Sequence, residues 1–265
     1  MEFRTLAEGL QFPEGPVALA DGSVLLVEIA AGTLTRIAPD GTKSIAATTG
    51  GGPNGAAIGP DGKCYVANNG GFEWHREDGR IRPLTQAKDY SGGRLERVDL
   101  QTGAVESLYR ACGDIPLKGP NDLVIDAAGG IYFTDLGKRR PRDMDIGAVY
   151  YAKPDGSSIV EVAYPMVTPN GIGLSPDEKT LYVAETEAAR LWAFPIEAPG
   201  IVKKKGCGRR RMAAGWSPAW GAISASIHWR CRQTDASASR PWSMAASPSS
   251  RRTDAMSSTM RCPIR

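Results

Sequence analysis

A chain of 265 residues with 31 glycines and 19 prolines has the length of one large β domain and too many turn-forming residues for a protein built from long helices. It has no apolar run of the roughly 18–20 residues that a membrane span needs and no basic stretch with an apolar core at its N-terminus, so we expect a soluble, cytoplasmic protein without a membrane partner. The net charge of +3 is uneven, because residues 206–265 hold ten Arg, no Lys and two Asp (+8), which leaves −5 for residues 1–205.

Four copies of a short motif, a proline followed by Glu or Asn, each precede a β-strand pattern. The copies are Pro13-Glu14-Gly15, Pro53-Asn54-Gly55, Pro120-Asn121-Asp122 and Pro169-Asn170-Gly171. Each copy is followed by alternating apolar positions, a turn rich in Pro, Asp or Gly, and a second strand pattern. The second strands are predicted at Val24–Glu28, Cys64–Asn68, Ile131–Asp135 and 181–185. No window shows helical periodicity over three turns, and the sequence therefore predicts an all-β fold.

Each repeat continues into a further strand pattern. These third strands are predicted at Thr33–Ile37 and at residues 94–99, 147–151 and 190–194. The second repeat carries a longer polar excursion, residues 68–89, before its third strand. A short strand is also predicted ahead of the first repeat, within residues 2–10.

The spacing of the motifs favours a radial arrangement of the repeats. The Glu and Asn positions 14, 54, 121 and 170 are 40, 67 and 49 residues apart. Periods of about 40–50 residues with four strands each are typical of propeller blades, and the longest step predicts one blade with an insertion. Since the first strand of every blade lines the central channel, the four side chains would face one axial cavity. The alternative for each single Asn is a turn residue that tolerates left-handed geometry.

Several segments carry a family resemblance. They are Phe-Pro-Glu-Gly-Pro at 12–16, Gly-Pro-Asn-Asp-Leu at 119–123, Tyr-Phe-Thr-Asp at 132–135, and Pro-Asn-Gly-Ile-Gly-Leu-Ser-Pro-Asp at 169–177 followed by Leu-Tyr-Val-Ala-Glu. Over residues 5–200 the chain resembles the gluconolactonase/SMP-30/luciferin-regenerating-enzyme family. This resemblance implies a six-bladed β-propeller that hydrolyses sugar lactones, a carboxylic ester reaction, with a divalent cation in the channel. About four blades are recognisable, within residues 1–203.

The resemblance also assigns roles to the motif residues. Glu14 matches the metal-binding carboxylate of the first blade, and Asn170 matches the metal-binding asparagine. Asn121 matches an asparagine that contacts the substrate beside the metal. Asn54 lies at the equivalent place in the second blade, where we expect a channel residue on the substrate side.

The sequence departs from the family pattern at two places. The SMP-30 branch has an arginine two positions before the substrate asparagine, where this chain has Gly119 with Lys118 next to it, so Lys118 becomes the candidate substrate contact. The family's fifth-blade aspartate, which completes the metal site and acts as acid/base, is expected where residues 227–229 read Ile-His-Trp. No catalytic residue can therefore be named, and we expect the chain as written to be inactive.

Residues 204–265 form a divergent, Arg/Ser-rich tail with two interpretations. Clustered arginine is the electrostatic signature of a nucleic-acid-binding arm. Alternatively, the tail is translated out of frame: a one-nucleotide shift over residues 243–254 permits VNGGITVISPDG, a strand followed by a turn, and the same shift over 227–239 permits an aspartate. We favour the frameshift, because both changes restore blade patterns, and so expect no nucleic-acid partner.

The chemistry of the candidate ligands favours a hard cation. Glu and Asn oxygens suit Ca²⁺ first, then Mg²⁺ or Mn²⁺, and Zn²⁺ less well. The five cysteines show no CxxC spacing. The only histidines are His75 and His228, so we expect neither a Ser/His/Asp triad nor a histidine zinc site. The leading hypothesis is a metal-dependent hydrolase whose partner is a small sugar lactone. The alternatives are a non-catalytic propeller that binds a sugar acid or a protein, and a strictosidine-synthase-like or paraoxonase-like propeller.

Overall fold

A computed structural model describes residues 4–203, which contain β-strands and no helix, and hence no helix able to cross a membrane. The prediction of an all-β fold is thereby confirmed for this part of the chain. The predicted domain boundary after residue 203 stays a prediction, and the two interpretations of residues 204–265 fall outside the described residues.

Four antiparallel sheets of four strands follow one another along residues 4–203, and we number them one to four. Sheet one has the order β1 (Pro13–Ala18), β2 (Val24–Glu28), β3 (Thr33–Ile37), β4 (Lys43–Thr48). Sheet two has the order β5 (Pro53–Ile58), β6 (Cys64–Asn68), β9 (Arg94–Val98), β10 (Val105–Tyr109). Sheet three has the order β13 (Pro120–Ile125), β14 (Ile131–Asp135), β15 (Gly147–Ala152), β16 (Ile159–Met166). Sheet four has the order β17 (Pro169–Leu174), β18 (Thr180–Glu185), β19 (Arg190–Ala198), β20 (Ile201–Val202).

Two hairpins complete the described strands. The longer one, β7 (Phe72–Glu77) with β8 (Arg80–Gln86), lies between β6 and β9, and the shorter one, β11 (Ala111–Cys112) with β12 (Ile115–Pro116), precedes sheet three. The excursion that the sequence marked only as polar thus forms an ordered hairpin. Every sheet pairs strands that are near neighbours in the chain, as expected for repeated units.

The predicted strand before the first repeat is wrong for residues 4–10, the part of it that the structure describes. These residues have no strand partner, and side-chain hydrogen bonds attach them to the first sheet and its turn. Lys43 Nζ donates to the Glu8 carbonyl at 2.8 Å, and Arg4 Nη2 donates to the Pro39 carbonyl at 3.0 Å. The segment is therefore attached by isolated hydrogen bonds and not by a strand ladder.

The hydrophobic core lies between successive sheets. Val27, Val66 and Val98 belong to a cluster shared by sheets one and two, in which each of them is fully buried. Equivalent clusters join sheets two and three and sheets three and four. Burying each such side chain contributes about 1.5–3 kcal/mol, so the facing of one sheet onto the next is the main source of stability.

The first strands of the four sheets are neighbours in the same series. Contacts join β1 to β5, β5 to β13, and β13 to β17. The four motif copies, which begin these strands, are therefore brought to the same end of adjacent sheets.

Candidate active site

Each first strand contains one extra residue at the motif. In sheet one Glu14 pairs with Val27 and Val17 pairs with Leu25, so three steps on β1 face two steps on β2. The same one-residue shift occurs in the other sheets, between Pro53 and Gly55, between Pro120 and Leu123, and between Pro169 and Ile172. Such bulges bend a strand and redirect its side chains, and they are frequent next to active sites. Four equivalent bulges are the strongest structural signal at this end.

The motif side chains lie at corresponding positions of the four bulges. Asn54 and Asn121 are buried, whereas Glu14 and Asn170 are half-buried and retain contact with solvent. All four offer side-chain oxygen atoms. The set combines one carboxylate with three amides, so the charge available to a cation comes from Glu14.

The backbones of neighbouring first strands approach closely at the third motif residue. A Cβ atom on Gly15 would lie 2.7 Å from the Ala56 backbone nitrogen, and one on Gly55 would lie 2.7 Å from the Asn121 backbone carbonyl oxygen. Distances this short leave no room for a side chain. The glycine that follows Glu14 and Asn54 is therefore required by the approach of the next sheet.

In the third copy this position is Asp122, whose carboxylate reaches sheet four. Its Oδ2 accepts a hydrogen bond from the Ile172 backbone nitrogen at 3.3 Å. The Thr134 hydroxyl donates to the Asn170 carbonyl at 2.6 Å, and it accepts from the Asp122 backbone nitrogen at 3.1 Å. These bonds join copies three and four, as the glycine contacts join copies one to two and two to three.

Lys118 has a fixed backbone and an exposed side chain. Its backbone nitrogen donates to Asp135 Oδ2 at 2.7 Å, and its backbone carbonyl accepts from the Tyr90 hydroxyl at 2.6 Å. The exposed side chain therefore lies just before β13, at the end of the sheets at which the motifs lie.

A second set of polar residues was missed by sequence reasoning. The last residue of every second strand lies opposite the motif proline. Its side chain accepts a hydrogen bond from the backbone N–H of a residue one or two positions before that proline. The bonds are Gln11 N to Glu28 Oε2 at 2.6 Å, Gly52 N to Asn68 Oδ1 at 2.9 Å, Gly119 N to Asp135 Oδ1 at 2.6 Å, and Val167 N to Glu185 Oε1 at 2.6 Å. The recurrence of an acidic or amide residue at each predicted strand end was the signal for them.

These strand-end residues position the motifs. Asp135 accepts from three backbone nitrogens, those of Lys118, Gly119 and Gly137. Burial raises the pKa of Asp135, and the three N–H groups oppose that rise by favouring the ionised form. With its oxygens engaged by the backbone, Asp135 anchors the start of β13.

Two further observations concern histidine and the possible metal ligands of the described chain. His75 is exposed and pairs with Glu77 at 3.1 Å. Within residues 4–203 no group of three or more His, Cys, Asp or Glu side chains is placed to hold a metal ion. The motif residues offer one carboxylate and three amide oxygens, and amide with carboxylate oxygen is a donor set that fits Ca²⁺ or Mg²⁺.

A cavity of about 440 Å³ lies at the opposite end of the first strands. It is lined by apolar residue types from three of them, at positions 17–20, 57–58 and 124–125. Its shared lining supports the grouping of β1, β5 and β13 around a common space. The chemistry of its walls makes it no candidate for catalysis.

Comparisons with known proteins agree with this geometry. Residues 12–211 match the family model described as SMP-30/Gluconolactonase/LRE-like region. The chain is 28% identical over 225 residues to a gluconolactonase of Zymomonas mobilis subsp. mobilis, covering 74% of this chain and 55% of the relative. It is 31% identical over 198 residues to lactonase drp35 of Staphylococcus aureus (strain USA300), covering 73% and 52%. The chain thus spans about half the length of these curated relatives.

Two solved structures share the fold. A gluconolactonase from Xanthomonas campestris superposes with a TM-score of 0.60 at 25% identity, covering 76% of this chain and 63% of that one. A regucalcin from Agrobacterium tumefaciens, described as a calcium-binding protein, gives a TM-score of 0.54 at 22% identity, covering 74% and 58%. The β-propeller class predicted from the repeats is confirmed by these likenesses, whereas the number of six blades stays a prediction.

Proposed function

The chain belongs to the SMP-30/gluconolactonase/LRE-like family, and on that premise we propose that it is a lactone hydrolase that opens a sugar lactone with the help of a divalent cation. The observation that carries the proposal is the set of four equivalent bulges, each presenting a Glu or Asn at the same end of adjacent sheets. The similarity to proteins named gluconolactonase and lactonase drp35 supports the reaction class.

Glu14 and Asn170 are the proposed cation ligands. Both are half-buried, and their carboxylate and amide oxygens favour Ca²⁺, with Mg²⁺, Mn²⁺ or Zn²⁺ as alternatives. A bound cation supplies Lewis-acid polarisation of the lactone carbonyl. The rest of the chemistry falls to the protein's own side chains.

Asn121 and Asn54 are the proposed substrate contacts. Their amide groups are buried at the bulges next to Glu14 and Asn170, where each can donate and accept hydrogen bonds to the hydroxyls of a sugar ring. Lys118 adds an exposed ammonium group close by, which would attract the carboxylate that ring opening creates. Together these groups would orient the lactone.

The general base is proposed to be an aspartate encoded after residue 203. A carboxylate of this kind removes a proton from the attacking water. The expected position lies outside the described residues, and the printed tail has no aspartate there. We propose that the reading frame changes near residue 203 and that the frame-restored protein carries the base.

The decisive experiment compares the printed chain with its frame-restored form in the hydrolysis of glucono-1,5-lactone. We expect the restored protein to be active only with a divalent cation, to lose activity in EDTA, and to regain it when cation is added. Asn121→Ala should reduce turnover and leave cation affinity nearly unchanged, because its proposed partner is the substrate. Equal rates for the printed and restored chains would show that the aspartate is not the base.

One observation favours a second candidate, a non-catalytic propeller that binds a sugar acid. The printed sequence lacks the acid/base while retaining all four motif residues. Such a protein would bind an aldonate and a cation but show no turnover in either form. The same assay therefore separates the two functions.

A further inference from the structure

The β7–β8 hairpin is an element that the proposed chemistry does not use. It lies in a connection of 25 residues, 69–93, between the second and third strands of sheet two, whereas sheet one makes the same connection with four residues, 29–32. The connection leaves β6 at Asn68, which pairs with the motif residue Pro53. The hairpin therefore rises from the end of the sheets at which the motifs lie.

One side of the hairpin contacts the residues just before the first motif. The ring of Trp74 packs on Phe12 with centroids 5.2 Å apart. Arg76 Nη1 donates to the Gln11 side-chain oxygen at 2.9 Å. Since Glu14 follows two residues after Phe12, this side of the hairpin is attached to the segment that leads to the proposed cation ligand.

The other side contacts the loop that follows β14 in sheet three. The Gln86 nitrogen donates to the Arg139 carbonyl at 2.8 Å. Lys138 Nζ donates to the Gly71 carbonyl and to Asn69 Oδ1, each at 2.8 Å. The hairpin of sheet two is thus attached to sheets one and three together, across the motif end of β5.

Lys138 is an unusual residue for this task. Only 1% of it is exposed, although buried lysines are rare, and its nitrogen lies 3.9 Å from the centre of the Phe72 ring and 5.4 Å from that of Tyr90. Burial lowers the pKa of Lys138 to about 7, against the attraction of the charged groups that face it, Asp135 and Asp145. In either protonation state the nitrogen donates to the same two oxygens.

Asn69 links Lys138 to the start of the connection that carries the hairpin. It is 1% exposed, and its Oδ1 accepts from Lys138 and from the Gly71 nitrogen at 2.9 Å. A Cβ on Gly52 would lie 2.4 Å from the same oxygen, so the amide fits against the residue that precedes Pro53-Asn54. Lys138 therefore bonds to the amide group that packs against the backbone just before the second motif.

We propose that the β7–β8 hairpin is a specificity-determining wall at the motif end of the channel, which limits the size of the lactone, and that Lys138 is the positioning residue that holds it there. The size-limiting role rests on the proposed function. The fastening role rests on the contacts alone, and it is tested separately.

The first experiment measures hydrogen exchange of the full chain by mass spectrometry at pH 7. Lys138→Met keeps the length of the side chain and removes both hydrogen bonds, so we expect exchange in residues 69–90 to become roughly tenfold faster, with β1–β4 unchanged. Lys88→Met, which alters an exposed lysine of the same segment, should match the parent. If Lys138→Met fails to fold, Trp74→Ala releases the opposite side of the hairpin and should loosen the same residues. Parent-like exchange in a folded Lys138→Met protein overturns the fastening role.

The second experiment measures binding of gluconate and of cellobionate, a disaccharide aldonate, by calorimetry with Ca²⁺ present. The parent should prefer gluconate, and Trp74→Ala or Lys138→Met should reduce that preference at least about fivefold, while Lys88→Met keeps it. An unchanged preference in variants that bind gluconate overturns the size limit and leaves the proposed function standing. If the parent binds neither aldonate, the size limit falls, the lactone-hydrolysis assay alone decides the proposed function, and the exchange result still decides the fastening role.

Discussion

The two ends of the first strands differ in both chemistry and regularity. At the motif end each strand is bulged and presents Glu or Asn, whereas at the far end residues such as Val17, Ala57 and Val124 continue a regular ladder with apolar side chains. The far end has a cavity of about 440 Å³, and its apolar lining offers no group that could activate a substrate. The bulges and polar side chains therefore mark the motif end as the candidate site.

The largest effect should come from filling the space at Gly15. Gly15→Ala places a Cβ 2.7 Å from the Ala56 backbone nitrogen in a residue with φ of +54°. Left-handed strain and overpacking together should lower the free energy of unfolding by about 2–5 kcal/mol. Urea denaturation measures this free energy.

Gly62→Ala is the matched control for Gly15→Ala, because Gly62 has φ of +74° and no neighbouring atom within 4 Å of its would-be Cβ. Its cost should be the left-handed strain alone, about 1–2 kcal/mol. Equal losses for both variants would show that the approach of sheets one and two does not require the glycine.

The next effect concerns the charge at the motif end. Glu14→Gln keeps the shape of the side chain and removes the one carboxylate among the four motif residues. We expect Ca²⁺ affinity to fall by more than about 100-fold, because loss of an outer-shell partner alone typically costs 10–100-fold. Calorimetric titration measures the affinity, and Glu197→Gln, at an exposed position of β19, is the control. Unchanged affinity in Glu14→Gln would contradict the assignment of Glu14 as a ligand.

At the far end the same comparison predicts a loss of stability without a loss of binding. Val17 is 4% exposed and packs in the cluster between sheets one and two. Val17→Ala should lower the free energy of unfolding by about 2 kcal/mol and leave Ca²⁺ affinity within twofold of the parent. A fall in affinity similar to that of Glu14→Gln would mean that the two ends are not independent.

The sequence predicted the regular parts of the fold closely. The bounds of β2, β6 and β14 agree with the prediction to the residue, because period-2 apolar runs ended by turn residues leave little choice of register. β19 extends to Ala198, four residues beyond its prediction, since pairing with β20 continues the strand. The motif side chains were predicted to face one axial cavity; the first strands that carry them are neighbours in series, and the shared cavity stays a prediction.

The features that the sequence left out depend on tertiary contacts. The bulges require knowledge of which residue faces which, and in the hairpin strand Phe-Glu-Trp-His-Arg-Glu the apolar alternation covers only Phe72 to His75 before charged residues follow. Lys138 could not be predicted as buried, because lysine is normally exposed and its partners, Asn69 and Gly71, are distant in the chain. The base after residue 203 stays a prediction.

The smallest effect, counted per pH unit, is the pH dependence that Lys138 adds at the motif end. The pKa of Lys138 is about 7 in the folded protein and 10.5 ordinarily, so between these values the unfolded chain holds more protons than the folded one. The free energy of unfolding should therefore rise with pH across this window, by at most about 1.4 kcal/mol per pH unit from this group, and be flat below pH 7. Subtracting the urea-denaturation curve of Lys138→Met from that of the parent at pH 7, 8 and 9 isolates the contribution, since every other group titrates in both proteins. Parallel curves for the parent and Lys138→Met would mean that Lys138 keeps an ordinary pKa. The control is Val17→Ala, which should lower the free energy of unfolding by the same amount at each pH.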